Sequence, residues 1–237
     1  MATNYNPKIV TDGLVLALDA GNTKSYSGIG TAWYDTSGSG YTGTGALSGM
    51  GSTHFDSANA GSFEFFGHFS DNQIDIDLGD SLVKDFTLDF WIKTSATTQG
   101  NGAIAYGQNE VENDLNYGFI AAYNLSSSYC SFAWGAENRK QFVATSENIA
   151  DNEWHHIVQN YDGTNAKAYI DTNLVIHNST SFSGNLRDCT SNLRIGRWRD
   201  SGYVQDMKIS AIKVYNKALT ASEVKENFDA LRGRYGI

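Results

Sequence analysis

The chain has 237 residues, among them 24 glycines, 13 tyrosines, 12 phenylalanines and a single proline, and its 26 acidic against 17 basic side chains give a formal charge of -9. That balance excludes a phosphate-backbone partner, because nucleic-acid binding needs clustered Lys and Arg. No apolar run reaches the roughly twenty residues of a membrane-spanning helix, so membrane insertion is not expected either.

The start, MATNYNPKIV, has neither a basic leader nor an apolar stretch, which predicts a soluble chain not exported through a signal peptide. Residues 9–18 form the first expected strand, with Leu14, Leu16 and Leu18 on one face. It runs into a turn at Asp19-Ala20-Gly21-Asn22. Residues 23–51 are rich in Gly, Ser and Thr and read as loop with one short strand, packed down by Trp33 and Tyr34. From 63 to 78 two strand patterns flank Ser70-Asp71-Asn72, and in the second Ile74, Ile76 and Leu78 point inward while Asp75 and Asp77 point outward. Residues 86–93 place Phe86, Leu88, Phe90 and Ile92 on one face and Thr87, Asp89, Trp91 and Lys93 on the other, so this strand is at least half buried.

Short strands follow at 103–107, 117–123, 129–134 and 141–145, separated by Gly, Asn and Ser clusters at the spacing of an antiparallel sandwich. The clearest signal is EWHHIVQNYDGTNAKAYID, residues 153–171. Its two alternating arms meet at Asp162-Gly163-Thr164-Asn165, which predicts a β-hairpin that needs neighbouring strands to be stable. Strands at 174–176, 192–196 and 207–215 complete the series. The end then changes period: Thr220 with Glu223 three residues on is a capping box, Val224, Phe228 and Leu231 form an apolar stripe, and Gly233 is the expected stop. Cys130 and Cys189 are too few for a disulfide framework and have no metal-ligand spacing; buried thiols are expected, with one bridge as the alternative.

Several segments together resemble the laminin-G-like, concanavalin A-like lectin/glucanase superfamily. They are NQIDIDLGDSLVKDFTLDFWIK (72–93), the Trp-His-His hairpin closed by Tyr-Ile-Asp (153–171), NLRIG (192–196) and IKVYNKALTASEV (212–224). The resemblance implies an all-β, jelly-roll β-sandwich of two antiparallel sheets with a short C-terminal helix. One domain over 1–237 is expected, with 1–60 as its strand- and loop-rich N-terminal part. Separately, GLVLALDAGNTKSY (13–26) and TAWYDTSGSG (31–40) resemble the opening of sandwich proteins found in tailed-bacteriophage particles. That second resemblance implies a non-enzymatic virion structural protein: a capsid decoration, fibre or tail-associated module, present in multiple copies or as a homo-oligomer, with other virion proteins as partners and host-surface glycan as a ligand. A secreted lectin module is the alternative, and a glycoside hydrolase the less favoured one.

Candidate sites follow from these resemblances and from residue chemistry. A hydrolase would need two carboxyl groups, about 5 Å apart for retention or farther for inversion. Asp75 and Asp77 share a strand face. However, related hydrolases carry glutamates where this strand reads Gln73, Asp75 and Asp77, so the pair is expected to be solvent-facing and no catalytic residue is assigned. His155 and His156 point to opposite faces and cannot chelate one ion together. Sugar stacking calls for exposed aromatics near polar side chains. Arg197, Trp198, Arg199, Asp200 and Tyr203 are the first such set, for a glycan or a partner surface, and Trp33 with Tyr34 the second. Calcium is the candidate cofactor, because oxygen-ligand sites near the rim are common in the family; Asp19, Asn22, Asp200 and Asp206 are its candidate ligands, with Asp71, Asn72 and Asp162 as further loop oxygens. Before the closing strand the family often shows a glycine and then an acidic pair, whereas this chain has Met207 and then Ser210-Ala211, a departure that counts against a metal role there.

Overall fold

A computed structural model describes residues 8–45, 54–58, 61–65, 73–79, 82, 85–95, 104–106, 118–123, 129–136, 139–178, 184–185, 193–196 and 206–237. Among these, two antiparallel sheets of eight strands each lie face to face. The first runs β14 (Asn173–Asn178), β13 (Ala166–Ile170), β12 (Trp154–Tyr161), β7 (Phe86–Thr94), β16 (Met207–Tyr215), β5 (Ser62–Phe65) and β4 (Phe55–Asp56), with β1 (Leu14–Asp19) also paired to β16. The second runs β11 (Arg139–Asn148), β10 (Tyr129–Ala136), β9 (Phe119–Tyr123), β8 (Ile104–Tyr106), β15 (Leu193–Ile195), β6 (Ile74–Ile76), β3 (Thr42–Gly45) and β2 (Ala32–Tyr34).

The hairpin predicted from residues 153–171 is present as β12 and β13, in register from Ile157 opposite Ile170 to Tyr161 opposite Ala166. On its other side β12 pairs with β7, from Trp154 opposite Lys93 to Tyr161 opposite Phe86. A strand with two neighbours and cover on both faces has no solvated side, which is why its alternation separates two buried environments. Ile157, Tyr161, Ala166, Ala168 and Ile170 enter the core between the sheets, whereas Trp154, Val158 and Tyr169 join clusters on the opposite face. Between the sheets, Phe86 stacks on Phe119 at 4.4 Å and Trp33 packs on Phe63 at 4.7 Å, so aromatic contacts tie the two layers.

The chain crosses between layers more often than hairpin reasoning suggests. The two patterns around residues 70–72 lie in opposite sheets: β5 pairs with β16, and β6 with β15 and β3. The N-terminal part also serves both layers, since β1 belongs to the first sheet and β2 and β3 to the second. Gly61 shows how tight the joins are. At φ 102 it lies so close to Ala20 that a Cβ would sit 2.7 Å from the Ala20 carbonyl oxygen, and its own carbonyl accepts a bond from Ser210 Oγ at 2.6 Å.

Two details depart from the sequence reading. Leu14 does not share the inner face with Leu16 and Leu18; a register shift between Leu14 and Leu16 changes the phase, and Leu14 packs with Val10, Val158, Tyr215 and Val224 instead. The helix α1 (Ala221–Tyr235) starts at the capping box on Thr220 as expected but runs through Gly233. It ends at Gly236 (φ 80), whose N–H bonds the Arg232 carbonyl. The extra turn is held because the Tyr235 ring lies 4.2 Å from Trp91 and 4.8 Å from Trp154. No helix among the described residues is long and apolar enough to cross a membrane.

Candidate functional site

Of the two outward sheet faces, the one on the first sheet is covered at its centre, while at its β4–β5 edge Lys208, Glu64 and Asp56 stay partly exposed in a shared set of ion pairs. Thr87, Asp89 and Trp91, the outward set of β7, are all fully buried, because α1 and the Lys217–Leu219 segment leading into it lie across them. Trp91 stacks on Phe228 and Tyr235, and Asp89 receives Lys213 Nζ at 2.7 Å and Asn227 Nδ2 at 2.8 Å. His156 Nε2 is 3.1 Å from the same carboxylate but poorly aligned for a hydrogen bond. Asn227 also donates to Tyr215 Oη and accepts from the Val10 amide at 2.8 Å, and Tyr215 Oη donates to the Val10 carbonyl. Burial by itself raises the Asp89 carboxyl, but the charges of Lys213 and His156 and the bond from Lys213 outweigh it and hold the group well below the usual carboxylate range. This network fastens the helix and the N-terminal strand to the sheet. Its buried, paired Asp89, Lys213, Asn227 and Tyr215 serve structure.

The outward face of the second sheet carries a different set. Thr44, Asp75, Arg194, Ala105 and Ile120 occupy successive positions across β3, β6, β15, β8 and β9. Arg194 Nε donates to Asp75 Oδ1 at 2.9 Å, and Gln73 Nε2 donates to Asp75 Oδ2 at 2.7 Å. The Asp75 and Arg194 side chains keep 21% and 17% of their surface exposed and Ile120 is fully buried, so this face is partly solvated at β6 and β15 and covered at β9. The Gln73 side-chain oxygen is buried with no partner among the described residues. Asp77 is engaged elsewhere, its Oδ1 accepting the Gly79 amide at 2.9 Å in a turn. With Asp75 held in an ion pair and Asp77 in that turn, the two carboxylates do not form an acid and a base flanking one bond.

The predicted aromatic pair divides between two environments. Trp33 is 1% exposed, in the core against Phe63, and is therefore corrected as a surface contact; Tyr34 is 52% exposed. Adjacent strand residues point to opposite faces, so one of the two had to go inside. The Tyr34 backbone is clamped on both groups, its N–H donating to the Ser25 carbonyl at 2.8 Å and its carbonyl accepting from Ser25 Oγ at 2.6 Å. Ser25 itself is buried. Tyr34 shares its outward face with Ala32 and with Thr42, which lies opposite it.

At the rim, Asp19 binds the Arg234 guanidinium through both oxygens, at 2.7 and 2.9 Å, and Asn22 Oδ1 accepts the Lys24 amide. Asp162 closes the hairpin turn by accepting the Thr164 and Asn165 amides. The exposed Asp206 contributes its backbone carbonyl to Thr94. A calcium ion needs several oxygens with free lone pairs. Asp19 and Asn22 have theirs engaged, and no group of three or more His, Cys, Asp or Glu among the described residues could hold a metal. Arg197, Trp198, Arg199, Asp200, Tyr203, Asp71, Asn72 and Cys189 lie outside the described residues, and Cys130 is a free, buried thiol.

His155 is the remaining titratable rim group. Its Nδ1 is 2.7 Å from Asp171 and its Nε2 3.1 Å from Asp151. Burial lowers its pKa, but the hydrogen bonds and charges of the two aspartates prevail and raise it. A raised histidine stabilises the fold fully below the unfolded value of about 6.5, and the contribution disappears as pH rises through the folded value. Wild type should therefore lose stability relative to His155→Gln as pH rises above the unfolded value of about 6.5, by on the order of 1 kcal/mol in urea titrations. Parallel curves for the two proteins would show that the imidazolium contributes nothing.

Sequence reasoning missed Arg194 as the partner of Asp75, 119 positions away, and the Lys213 and Asn227 contacts to Asp89. The available signal was a charged residue within an otherwise apolar strand, as in Asp89 and Lys213. Nothing in the spacing says which charge meets which.

Comparison with known proteins agrees with this architecture. The binding domain of Paraclostridial Mosquitocidal Protein 1 superposes with TM-score 0.64 at 17% identity, over 92% of this chain and 52% of that one. The botulinum neurotoxin DC binding domain, solved in complex with SialylT, gives 0.65 at 15% identity over 93% and 52%. Domain 4 of the arabinanase AbnA from Geobacillus stearothermophilus, solved with arabinotriose, gives 0.63 at 15% identity over 92% and 98%. The chain thus spans about half the length of the toxin binding domains. No curated protein matches its sequence. A family model described as the concanavalin A-like lectin/glucanases superfamily, of laminin G type, matches residues 67–225, two thirds of the sequence, and with two antiparallel sheets and one terminal helix in place the chain belongs to that superfamily.

Proposed function

We propose that the protein is a non-catalytic recognition module that binds glycan, displayed on a bacteriophage particle. The observation that carries the reading is the asymmetry of the sandwich. Helix α1 covers the centre of one outward face, while the other presents an exposed, backbone-clamped Tyr34 and the partly exposed ion pair of Asp75 with Arg194. Paired charges and an aromatic ring suit recognition of hydroxyls and ring faces. The complexes of the AbnA domain with arabinotriose and of the botulinum DC domain with SialylT support glycan as the ligand class for this architecture. For the virion setting, the support is the resemblance of residues 13–26 and 31–40 to phage particle proteins, with multiple copies and contacts to other virion proteins as its corollaries.

The test has two arms. A glycan array, run with and without calcium, should show binding that does not depend on the ion, and incubation with the bound polysaccharides should release no sugar. Purified particles should contain the protein in a fixed ratio to the capsid protein. Absence of any glycan signal would overturn recognition, release of sugar would restore the hydrolase alternative, and glycan binding without particle association would point to the secreted lectin.

A further inference from the structure

We infer that His155 is a proton-operated latch on two turns at one end of the sandwich: the charged ring holds both, and loss of its proton frees the Asp151–Glu153 turn while the Asp171–Thr172 turn stays fastened. The inference does not depend on what the protein binds.

Both turns carry backbone strain. Among the described residues the non-glycine positions with positive φ are Ala122, Asn152, Asp171 and Thr172, and the last three are in these turns. Asn152, at φ 64, lies at the centre of the link from β11 in the second sheet to β12 in the first. Asp171 and Thr172, at φ 49 and 73, make the two-residue turn between β13 and β14, where Ile170 is opposite Asn173. A β-branched threonine in the left-handed region is strained, so such a turn persists only when its surroundings hold it. His155 holds both turns: Nδ1 is 2.7 Å from Asp171 Oδ2 and Nε2 is 3.1 Å from Asp151 Oδ1. From β7 the residue opposite it is the apolar Ile92, while Lys93 is opposite Trp154 and so on the other face. The charged groups that meet the ring are the two aspartates, and the exposed Glu153, two residues before it, adds negative charge nearby.

Donor count decides what is released. An imidazolium donates from both ring nitrogens, but a neutral ring has one N–H and one lone pair, so it serves one carboxylate and turns a lone pair on the other. The Asp171 side keeps the proton. Its contact is the shorter, and its side chain is the less exposed, 28% against 45% for Asp151. Asp171 is also fixed without the ring: its Oδ1 accepts the His156 amide at 2.8 Å, and its own amide donates to the His156 carbonyl at 2.9 Å. On the other side, Asp151 Oδ1 accepts the Glu153 amide at 2.9 Å, a bond within the turn itself. Once Nε2 lets go, the turn is tied to the first sheet by the bond from the Asn152 amide to the Thr94 carbonyl at 2.9 Å. The raised pKa of His155 sets the release above the free-histidine value.

Ring-nitrogen NMR and amide exchange on the intact protein test this. As pH rises past about 6.5 and through the His155 titration, the ring should pass from two N–H groups to the single Nδ1–H form. Exchange protection at Asn152 and Glu153, corrected for the intrinsic pH dependence of exchange, should fall about tenfold in step with it, the worth of one charged hydrogen bond. His156 and Asp171 should keep theirs. In Asp151→Ala, protection at Asn152 should be low at every pH while the neutral His155 ring keeps its Nδ1 proton, with melting curves confirming the fold. Unchanged protection at Asn152 and Glu153 through the wild-type titration would overturn the latch. A neutral ring protonated at Nε2, or loss of protection at Asp171 together with Asn152, would overturn the order of release.

Discussion

Replacing Asp89 by alanine is expected to destabilise the fold by about 3–5 kcal/mol, because it removes one partner of a buried ion pair and leaves the other charge without compensation. Lys213 Nζ, 2.7 Å away on a side chain only 4% exposed, would keep its charge in a dry site, and Asn227 would lose one of its bonds. Typical domains have about 5–15 kcal/mol in hand, so the loss should be visible as a large drop in the urea midpoint. The variant Asp89→Leu combined with Lys213→Met separates two explanations. If the cost comes from the stranded charge, the double variant recovers most of the stability; if it comes from lost packing, the double variant stays as unstable as the single. Acid should act in the same direction. The Asp89 pKa is depressed in the fold, so its contribution is present above the unfolded value of about 3.9 and disappears as pH falls through the folded value.

Trp91→Ala should cost a similar amount, about 3–5 kcal/mol, since truncating a fully buried tryptophan removes its transfer free energy and leaves a cavity. Here the cavity would lie between sheet and helix, where Trp91 meets Phe228 at 5.6 Å, Tyr235 at 4.2 Å and His156 at 5.0 Å. The consequence extends past stability. Helix α1 binds the sheet chiefly through this aromatic cluster and the Asp89 network, so its C-terminal turn should become cleavable by protease before the sandwich unfolds. Trp91→Phe, which keeps a ring on Phe228 and Tyr235, should lose well under half as much. Equal losses for Ala and Phe would mean that shape at this one position matters more than ring contact.

The two variants act on a face that the sequence presents ambiguously. Thr87, Asp89, Trp91 and Lys93 alternate with Phe86, Leu88, Phe90 and Ile92 as a solvent face would, and Trp91 alone hinted that the face is covered. What covers it is the C-terminal helix, far along the chain, and local periodicity carries no information about contacts at that separation. The same limit explains Leu14, whose face was changed by a register shift against β16, and Gly233, which stays helical because Tyr235 has an aromatic cluster to fill.

Short-range physics was enough for much of the rest. The alternation of residues 153–171, the Asp-Gly-containing turn between its arms and the reciprocal bonds of Thr220 and Glu223 are interactions among residues within a few positions, so the amino-acid order determined them and with them the all-β class. Tertiary structure alone decided which outward face the C-terminal helix covers, which of Trp33 and Tyr34 meets solvent, and that Asp75 faces Arg194 instead of a second acid. Those outcomes depend on which strands become neighbours across the sheets and on what packs over each face, and both are set by the whole chain's burial of apolar surface, a quantity that no local stretch contains.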